Sequence, residues 1–271
     1  MPDGPLTADD IRAHSDARWI GARIDCLDTV DSTNSWTRDL GLQGAPDGTV
    51  VTAEEQTGGR GRLGRSWVSP RGRNLYVSVL LRADLPPESL SQLSLVAGLA
   101  ACETVDEWCA ATLKWPNDVL VGGRKVVGIL SELESRGAAR FVVLGVGINI
   151  NMRVTDFPAD LRDKAGSIAA AVGAEVDRAR VAGRLLSHLE RRYDELRTRG
   201  FAAIAGEWTR RSGFTGRRIR VEEPGGVIEG EVVGLAPDGA LCLKREDGSE
   251  HRVIAGDVTV LDGYPGSRKE K

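Results

Sequence analysis

Cysteine pairs, clustered histidines, long apolar runs and an excess of charge of either sign are missing from this chain, and each absence closes off a class of function. Its four cysteines (Cys26, Cys102, Cys109, Cys242) form no CxxC pair, and His14, His188 and His251 are scattered. A structural zinc site or a disulfide framework is thereby disfavoured, and reduced thiols in a cytoplasmic protein are the expectation. A net charge of −3 and a pI near 5.8 argue against wholesale binding to DNA, RNA or anionic lipid, so any anion site must be local. No apolar run approaches the length needed to cross a bilayer. The N-terminus, MPDGPLTADDIR, has neither the basic nor the apolar region of a secretory signal. Internal repeats and long low-complexity segments are absent too. What remains is 271 residues, 41% hydrophobic and 28% charged, which reads as a soluble chain with one fair-sized core and a smaller appendage, or two modest domains.

Spacing assigns the elements. Asp31, Ser32 and Thr33 are good helix caps, so Val30–Leu40 reads as a short helix, and a shorter one is expected within Thr7–Ala17. Thr49–Ala53 reads as a strand, and Asn74–Leu81 alternates like a strand with one buried face. Leu90, Leu93, Val96, Leu99 and Ala100 fall at helical spacing within Ser89–Cys109. Gly122-Gly123 joins Val119–Val121 to Lys125–Glu134 as a hairpin, because paired glycines suit positive-φ turns. Phe141–Ile150 is a further strand. Arg178–Arg199 places Val181, Leu185, Leu189, Tyr193 and Leu196 on one helical stripe, and a third helix covers Phe201–Arg211.

The texture changes after Gly213. Short strands at Arg217–Val221, Val227–Leu235, Ala240–Lys244, Glu250–Ile254 and Val258–Leu261 are separated by Pro224-Gly-Gly, Pro237-Asp-Gly and Asp247-Gly, which suggests a small barrel. The expected division is an N-terminal extension (1–22), an α/β body (23–213), a β-barrel unit (214–264) and a tail (265–271).

The densest chemical signal is EQTGGRGRLGRSW, Glu55–Trp67. Gly58, Gly59, Gly61 and Gly64 leave backbone N–H groups accessible. Arg60, Arg62 and Arg65 add three cations within six residues, able to grip phosphate or carboxylate bidentately. Such a loop can hold an anion by main-chain donors and close over it. On composition alone, a solvated surface loop is an equal reading. Gly59, Gly61 and Gly64 satisfy G-x-G-x-x-G, but a turn and a strand follow rather than a helix, so the dinucleotide fingerprint fails. No Lys-Ser/Thr follows for a Walker loop, and an RNA-binding RGR tract does not suit the acidic balance.

Three further segments stand out. In KWPNDV (Lys114–Val119) the proline holds Trp115 out of the helical region; Asn117 and Asp118 either make a turn or offer acceptors to a ribose, a metal or an amine. Lys125 opens an apolar strand, where it either enters a pocket or guards a strand edge. Gly145 and Gly147 in GVGININ (Gly145–Asn151) mark where a ligand or another backbone passes closely.

GGRGRLGRSW, KWPNDV, RKVVGIL (Arg124–Leu130) and GVGININ, in this order and preceded by Asp31-Ser32-Thr33-Asn34, resemble the biotin–protein ligases from about Leu27 to Leu261. The resemblance implies a mixed sheet flanked by helices, similar to the catalytic domain of class II aminoacyl-tRNA synthetases, followed by an SH3-like barrel. It implies ATP-dependent activation of biotin, with Mg²⁺, and transfer from biotinyl-5′-AMP to a lysine of a biotin carboxyl carrier domain. By the same resemblance Ser32, Thr33 and Gln56 bind the biotin ring, with Gly128 at the ureido group. Gly59, Arg60, Gly61 and Arg62 close over carboxylate and phosphate. Arg65 and Trp67 meet the ATP phosphates, Lys125 meets carboxylate and α-phosphate, Asn117 and Asn149 face the adenylate, and Asp118 is a candidate for the acceptor lysine. No metal is fixed by protein groups alone.

The family's N-terminal DNA-binding domain has no room in the two dozen residues ahead of the motifs, so a ligase without a repressor is expected, without DNA or membrane partners, as a monomer or weak homodimer. Some relatives stack adenine on a tryptophan after the GINI strand; Met152–Ser167 has none. The rival readings are a lipoate–protein ligase on the same fold and adenylation logic, an inactive biotin-binding protein, and a nucleic-acid-binding SH3-like protein.

Overall fold

A computed structural model describes residues 4–82, 89–136, 139–223 and 225–261. The loop around Asp84, Pro224 and the expected tail 265–271 lie outside the described residues. Two sheets organise the chain. The larger has seven strands: β1 (Ile24–Val30), β2 (Val50–Gln56), β3 (Leu75–Leu81), β4 (Thr112–Lys114), β5 (Asp118–Val121), β6 (Arg124–Arg136) and β7 (Ala139–Ile148). They lie in the order β1-β2-β3-β7-β6-β5-β4, with β1 and β2 parallel and every other pair antiparallel. This is the mixed sheet that the resemblance implies. β1 and β4 have no counterpart in the spacing analysis.

Helices cover the two faces unequally. α1 (Ala8–Ala13), α2 (Thr33–Leu42), α3 (Ser89–Asp106), α4 (Ile168–Val172), α5 (Arg178–Arg199) and α6 (Phe201–Ser212) complete the body. α5 is the longest, capped by Asp177, whose carboxylate accepts from the N–H groups of Ala179 and Arg180, and stopped by Gly200 at φ 73°. Its apolar stripe and α3 bury Leu185, Leu189, Leu99 and Val105 in the core that backs the sheet through Val127, Ile129 and Val146. On the other face α2 packs its apolar side on Phe141, Val143 and Leu80, with Gly41 against the Phe141 ring. The remainder of that face is open, and there the cavity forms. No helix of the described residues is long and apolar enough to cross a membrane.

Two buried carboxylates fix the N-terminal segment to this body. Glu190 accepts from the N–H groups of Arg18, Trp19 and Ile20 at 2.7–2.8 Å. Glu54 accepts from Leu6 N–H at 2.7 Å and pairs with Arg178 at 2.9 Å, both side chains being more than nine-tenths buried.

The second sheet comprises β8 (Arg218–Glu223), β9 (Gly226–Leu235), β10 (Leu241–Lys244), β11 (Glu250–Val253) and β12 (Asp257–Val260), all antiparallel, in the order β11-β10-β9-β8-β12. The expected small barrel is thus a five-stranded sheet whose outer strands, β11 and β12, do not pair with each other among the described residues. The Trp115 indole is 2% exposed and donates to the Gly239 carbonyl at 3.1 Å, and Ser91 Oγ donates to the Asp238 carbonyl at 2.9 Å. These bonds seat the tight turn Pro237-Asp-Gly against the body.

Candidate active site

A cavity of about 1350 Å³ opens on the uncovered face of the large sheet. Its depth comes from glycines in register. Gly128 on β6 lies opposite Gly147 on β7, and Leu130 opposite Gly145. A methyl group at Gly147 would fall 2.5 Å from Trp67 Nε1, and one at Gly128 2.8 Å from the same ring. Trp67 therefore stands on both glycines, while Asn34 occupies the space over Gly145. The close passage expected at these glycines is made by side chains of the chain itself.

Next to this seam lies a chain of polar groups contributed by α2, β2 and β3. Ser32 caps α2 without spending its hydroxyl on a capping bond. Gln56 Oε1 accepts from Thr33 N–H at 2.9 Å and from its hydroxyl at 3.1 Å, while Gln56 Nε2 donates to Ser69 Oγ at 3.0 Å. Ser78 Oγ lies 2.8 Å from Thr33 Oγ1 and 2.6 Å from Asn34 Oδ1. Asn34 Nδ2 donates to Glu132 Oε2 at 2.7 Å. Ser32, Thr33, Asn34 and Ser78 are all at least 95% buried, so this floor holds its shape by internal bonding.

The walls are cationic. Arg60, Arg62, Arg65, Lys114, Arg124, Lys125 and Lys164 line the cavity, against Asp118, Asp163 and Asp257. The local excess of positive charge in an acidic protein is what an anion site requires. The arginine segment is a small hairpin in which Arg60 bridges to Ser66, Gly61 N–H donates to Arg65 O at 2.7 Å and Trp67 N–H to Gly59 O at 2.9 Å. Gly61 and Trp67 thus spend their main-chain donors within the loop, and the guanidinium groups of Arg60, Arg62 and Arg65 reach the cavity. At its tip Leu63 adopts φ 55° and is 74% exposed.

Four of these cations meet partners around the cavity. Arg62 Nη1 donates to Asn117 Oδ1 at 3.1 Å, and burial pulls its pKa below the ordinary guanidinium value. Lys125 Nζ lies 2.6 Å from Asp118 Oδ1, an ion pair whose angles fall short of a hydrogen bond, and 5.5 Å from the centre of the Trp67 ring. Arg60 meets Glu132 at 3.2 Å, and Arg65 pairs with Asp257 of β12. Asn117 is held in turn by donating to Ile129 O at 2.7 Å. KWPNDV is the turn between β4 and β5, as the plain reading had it, and the same turn aims Asn117 and Asp118 at the cations.

Of the residues singled out in the sequence, Ser32, Thr33, Gln56, Arg60, Gly61, Arg62, Arg65, Trp67, Asn117, Asp118, Lys125, Gly128 and Asn149 all line this one cavity. Gly59 does not; a methyl there would sit 2.6 Å from Trp67 O and 2.7 Å from Ser69 Oγ, so it makes room for the hairpin instead. Residues missed in the sequence also contribute. Phe157, Leu161 and Lys164 line the cavity from the polar segment after β7, and Asp257, Val258 and Thr259 line it from the second sheet. That segment is pinned to the site because Lys125 N–H donates to Lys164 O at 2.7 Å and Gly166 N–H to Lys125 O at 2.9 Å. Phe157, the sole aromatic of Met152–Ser167, was the available signal.

Comparison with known proteins bears on the same residues. The chain matches the Biotin/lipoate A/B protein ligase family over residues 26–149 and the Biotin protein ligase C terminal domain over 214–261. It is 41% identical to the biotin--[acetyl-CoA-carboxylase] ligase of Mycobacterium tuberculosis, covering 87% of this chain and 89% of that protein. It is 34% identical to the bifunctional ligase/repressor BirA of Bacillus subtilis, covering 94% of this chain and 79% of that one. Biotin protein ligase from Aquifex aeolicus, solved in complex with biotin and ATP, superposes with a TM-score of 0.76 at 32% identity, over 88% of this chain and 98% of its own. With likeness of this degree over most of its length, the chain belongs to the biotin protein ligases of the Biotin/lipoate A/B protein ligase family.

Proposed function

We propose that this cavity holds biotin and ATP side by side, joins them as biotinyl-5′-AMP with release of pyrophosphate, and passes the biotin to a lysine of a biotin carboxyl carrier domain in a biotin-dependent carboxylase. The observation that carries this reading is the convergence of Arg60, Arg62, Arg65 and Lys125 on one cavity beside a buried, neutral polar floor. A carboxylate attacking an α-phosphate brings two anions together, so fixed cations must offset their repulsion and stabilise the charge that builds up. A neutral ureido ring, by contrast, needs hydrogen-bond partners of fixed geometry. Ser32, Thr33 and Gln56 offer them.

Lys125 and Arg62 act on the reacting carboxylate and α-phosphate. Arg60 closes over the carboxylate, Arg65 and Trp67 attend the polyphosphate, and Asn117 and Asn149 face the nucleoside. Phe157 and Leu161 supply an apolar wall beside the nucleoside. Asp118 meets the acceptor amine. The mixed anhydride hydrolyses on contact with water, so the arginine hairpin serves as a cover as well as a cation source. A Mg²⁺ arriving with ATP would keep most of its water, with Asp118 or Asp163 within the cavity as carboxylate contacts. That ion would neutralise the leaving pyrophosphate. In this reading residues 23–213 form the catalytic unit, and 214–264 an SH3-like unit that closes one side of the cavity.

Isothermal titration with biotin and with lipoate, each with and without ATP and Mg²⁺, tests the reading. Biotin binding with additional heat when nucleotide is present is expected. Lipoate binding without biotin binding would overturn it.

A further inference from the structure

Glu132 has no part in the scheme above, yet it connects the two halves of the site. It lies two residues beyond Leu130 on the same face of β6, at the margin of the cavity. One oxygen, Oε2, accepts from Asn34 Nδ2 at 2.7 Å and from Arg60 Nη2 at 3.2 Å. The two bonds are unequal. Asn34 is 95% buried and fastened by Ser78 at 2.6 Å, so the Glu132–Asn34 bond belongs to the rigid floor. Arg60 approaches through a single nitrogen, with Ser35 Oγ a distant second partner at 3.4 Å, and its side chain is 41% exposed. A guanidinium carries five N–H donors, and this one is not engaged bidentately.

We propose that Glu132 is a resident counter-carboxylate that competes with the ligand's carboxylate for Arg60, and so sets how strongly the site favours carboxylate-bearing ligands. An entering carboxylate must turn Arg60 away from Glu132 to gain a bidentate grip. Glu132 is not stranded by the exchange, because Asn34 still donates to it. With Arg60 turned away, Glu132 also repels the newcomer. The same pairing recurs at Lys125 with Asp118 and at Arg65 with Asp257, but only Glu132 is anchored through a buried amide to the floor. Glu132 thereby acts as a positioning and specificity-determining residue, through Arg60, for the biotin reading given above, on which this inference rests.

Glu132→Gln is the informative variant, because a glutamine carbonyl still accepts from Asn34 while the charge is lost. Binding of biotin and of biotinol, which has CH₂OH in place of the carboxylate, is measured by titration calorimetry at low and high salt. An exposed ion pair of this kind is worth roughly a two- to fivefold change in affinity. Glu132→Gln is therefore expected to bind biotin about two- to fivefold tighter at low salt, with the gain fading at high salt. Biotinol affinity should stay put, and Glu132→Asp should keep the wild-type ratio of the two. Unchanged biotin affinity in Glu132→Gln, or an equal shift for both ligands, would overturn the inference alone. Wild-type protein that binds neither ligand would overturn the biotin reading along with it.

Discussion

On the sheet side of the cavity, Thr33, Asn34, Ser78 and Gln56 hold one another through bonds of 2.6–3.1 Å, almost all of them out of contact with water. On the loop side, Arg60, Arg62 and Arg65 reach outward to different partners, Glu132 with Ser35, Asn117 and Asp257, and Arg60 and Arg65 remain 41% and 65% exposed. The floor is a network whose members cannot move singly. The loop is a set of separate cations, each held by its own partners and released independently of the others. The contrast suits two kinds of ligand group: a neutral ring recognised by shape, and negative charge that must be met and later let go.

A floor of this kind fails as a unit. In Gly145→Ala the added methyl would fall well inside contact distance of Asn34 Oδ1, so Asn34 has to leave or the strand has to shift. Overpacking together with lost buried hydrogen bonds costs about 3 kcal/mol, a loss of more than a hundredfold in biotin affinity. Calorimetry of the variant checks it, with circular dichroism to confirm folding; biotin affinity within threefold of wild type would mean that the floor is softer than its bonding indicates. Lys125 stands between the two regions, rooted in β6 but charged like the loop. Lys125→Ala is expected to slow adenylation about a hundredfold, as for a lost oxyanion donor, read as pyrophosphate release. Near-normal release would place the essential cations in the loop alone.

This division also decides what was legible in the sequence. The loop is a local feature, with its arginines and glycines within a few residues of one another, so its membership could be read directly. Gly122-Gly123 gave its hairpin for the same reason, with φ of 56° and 81°. The floor is assembled from α2, β2, β3, β6 and β7, and only the fold brings Asn34 to Glu132 across 98 positions. β1 was missed because Asp25, Thr29 and other polar residues interrupt its pattern at the sheet edge, and β4 because three residues show no period. The contribution of β12 to the cavity depends on how two sheets meet, which no local spacing encodes.

Within the loop the partners are graded, and the variants should follow. Arg62 is the most withdrawn from water, and its contact is to a neutral amide, Asn117, so no carboxylate has to be displaced before it meets an anion. Arg62→Ala removes a charge-assisted contact worth about 1.5–3 kcal/mol, which predicts ten- to a hundredfold weaker retention of the adenylate and its escape into solution. Stopped-flow or filter retention reads this directly, and unchanged retention would remove Arg62 from the phosphate site.

Asp257→Asn is the mildest of these changes and tests the comparison from its weak end. Asp257 belongs to the second sheet, and its pairing with Arg65 ties the loop to β12. The pair is solvent-exposed, so its loss is worth about 0.2–1 kcal/mol and should alter the KM for ATP by less than about fivefold, with no effect on kcat. Because the contact is screened, the change should shrink as salt is raised. Asn at 257 also frees Arg65 for phosphate, so the direction of a small effect is toward tighter ATP binding. A tenfold or larger loss, insensitive to salt, would show that β12 positions the loop rather than merely pairing with it. The second sheet would then belong with the floor, as part of the rigid frame, and the boundary between network and separate cations would have to be drawn through the loop itself.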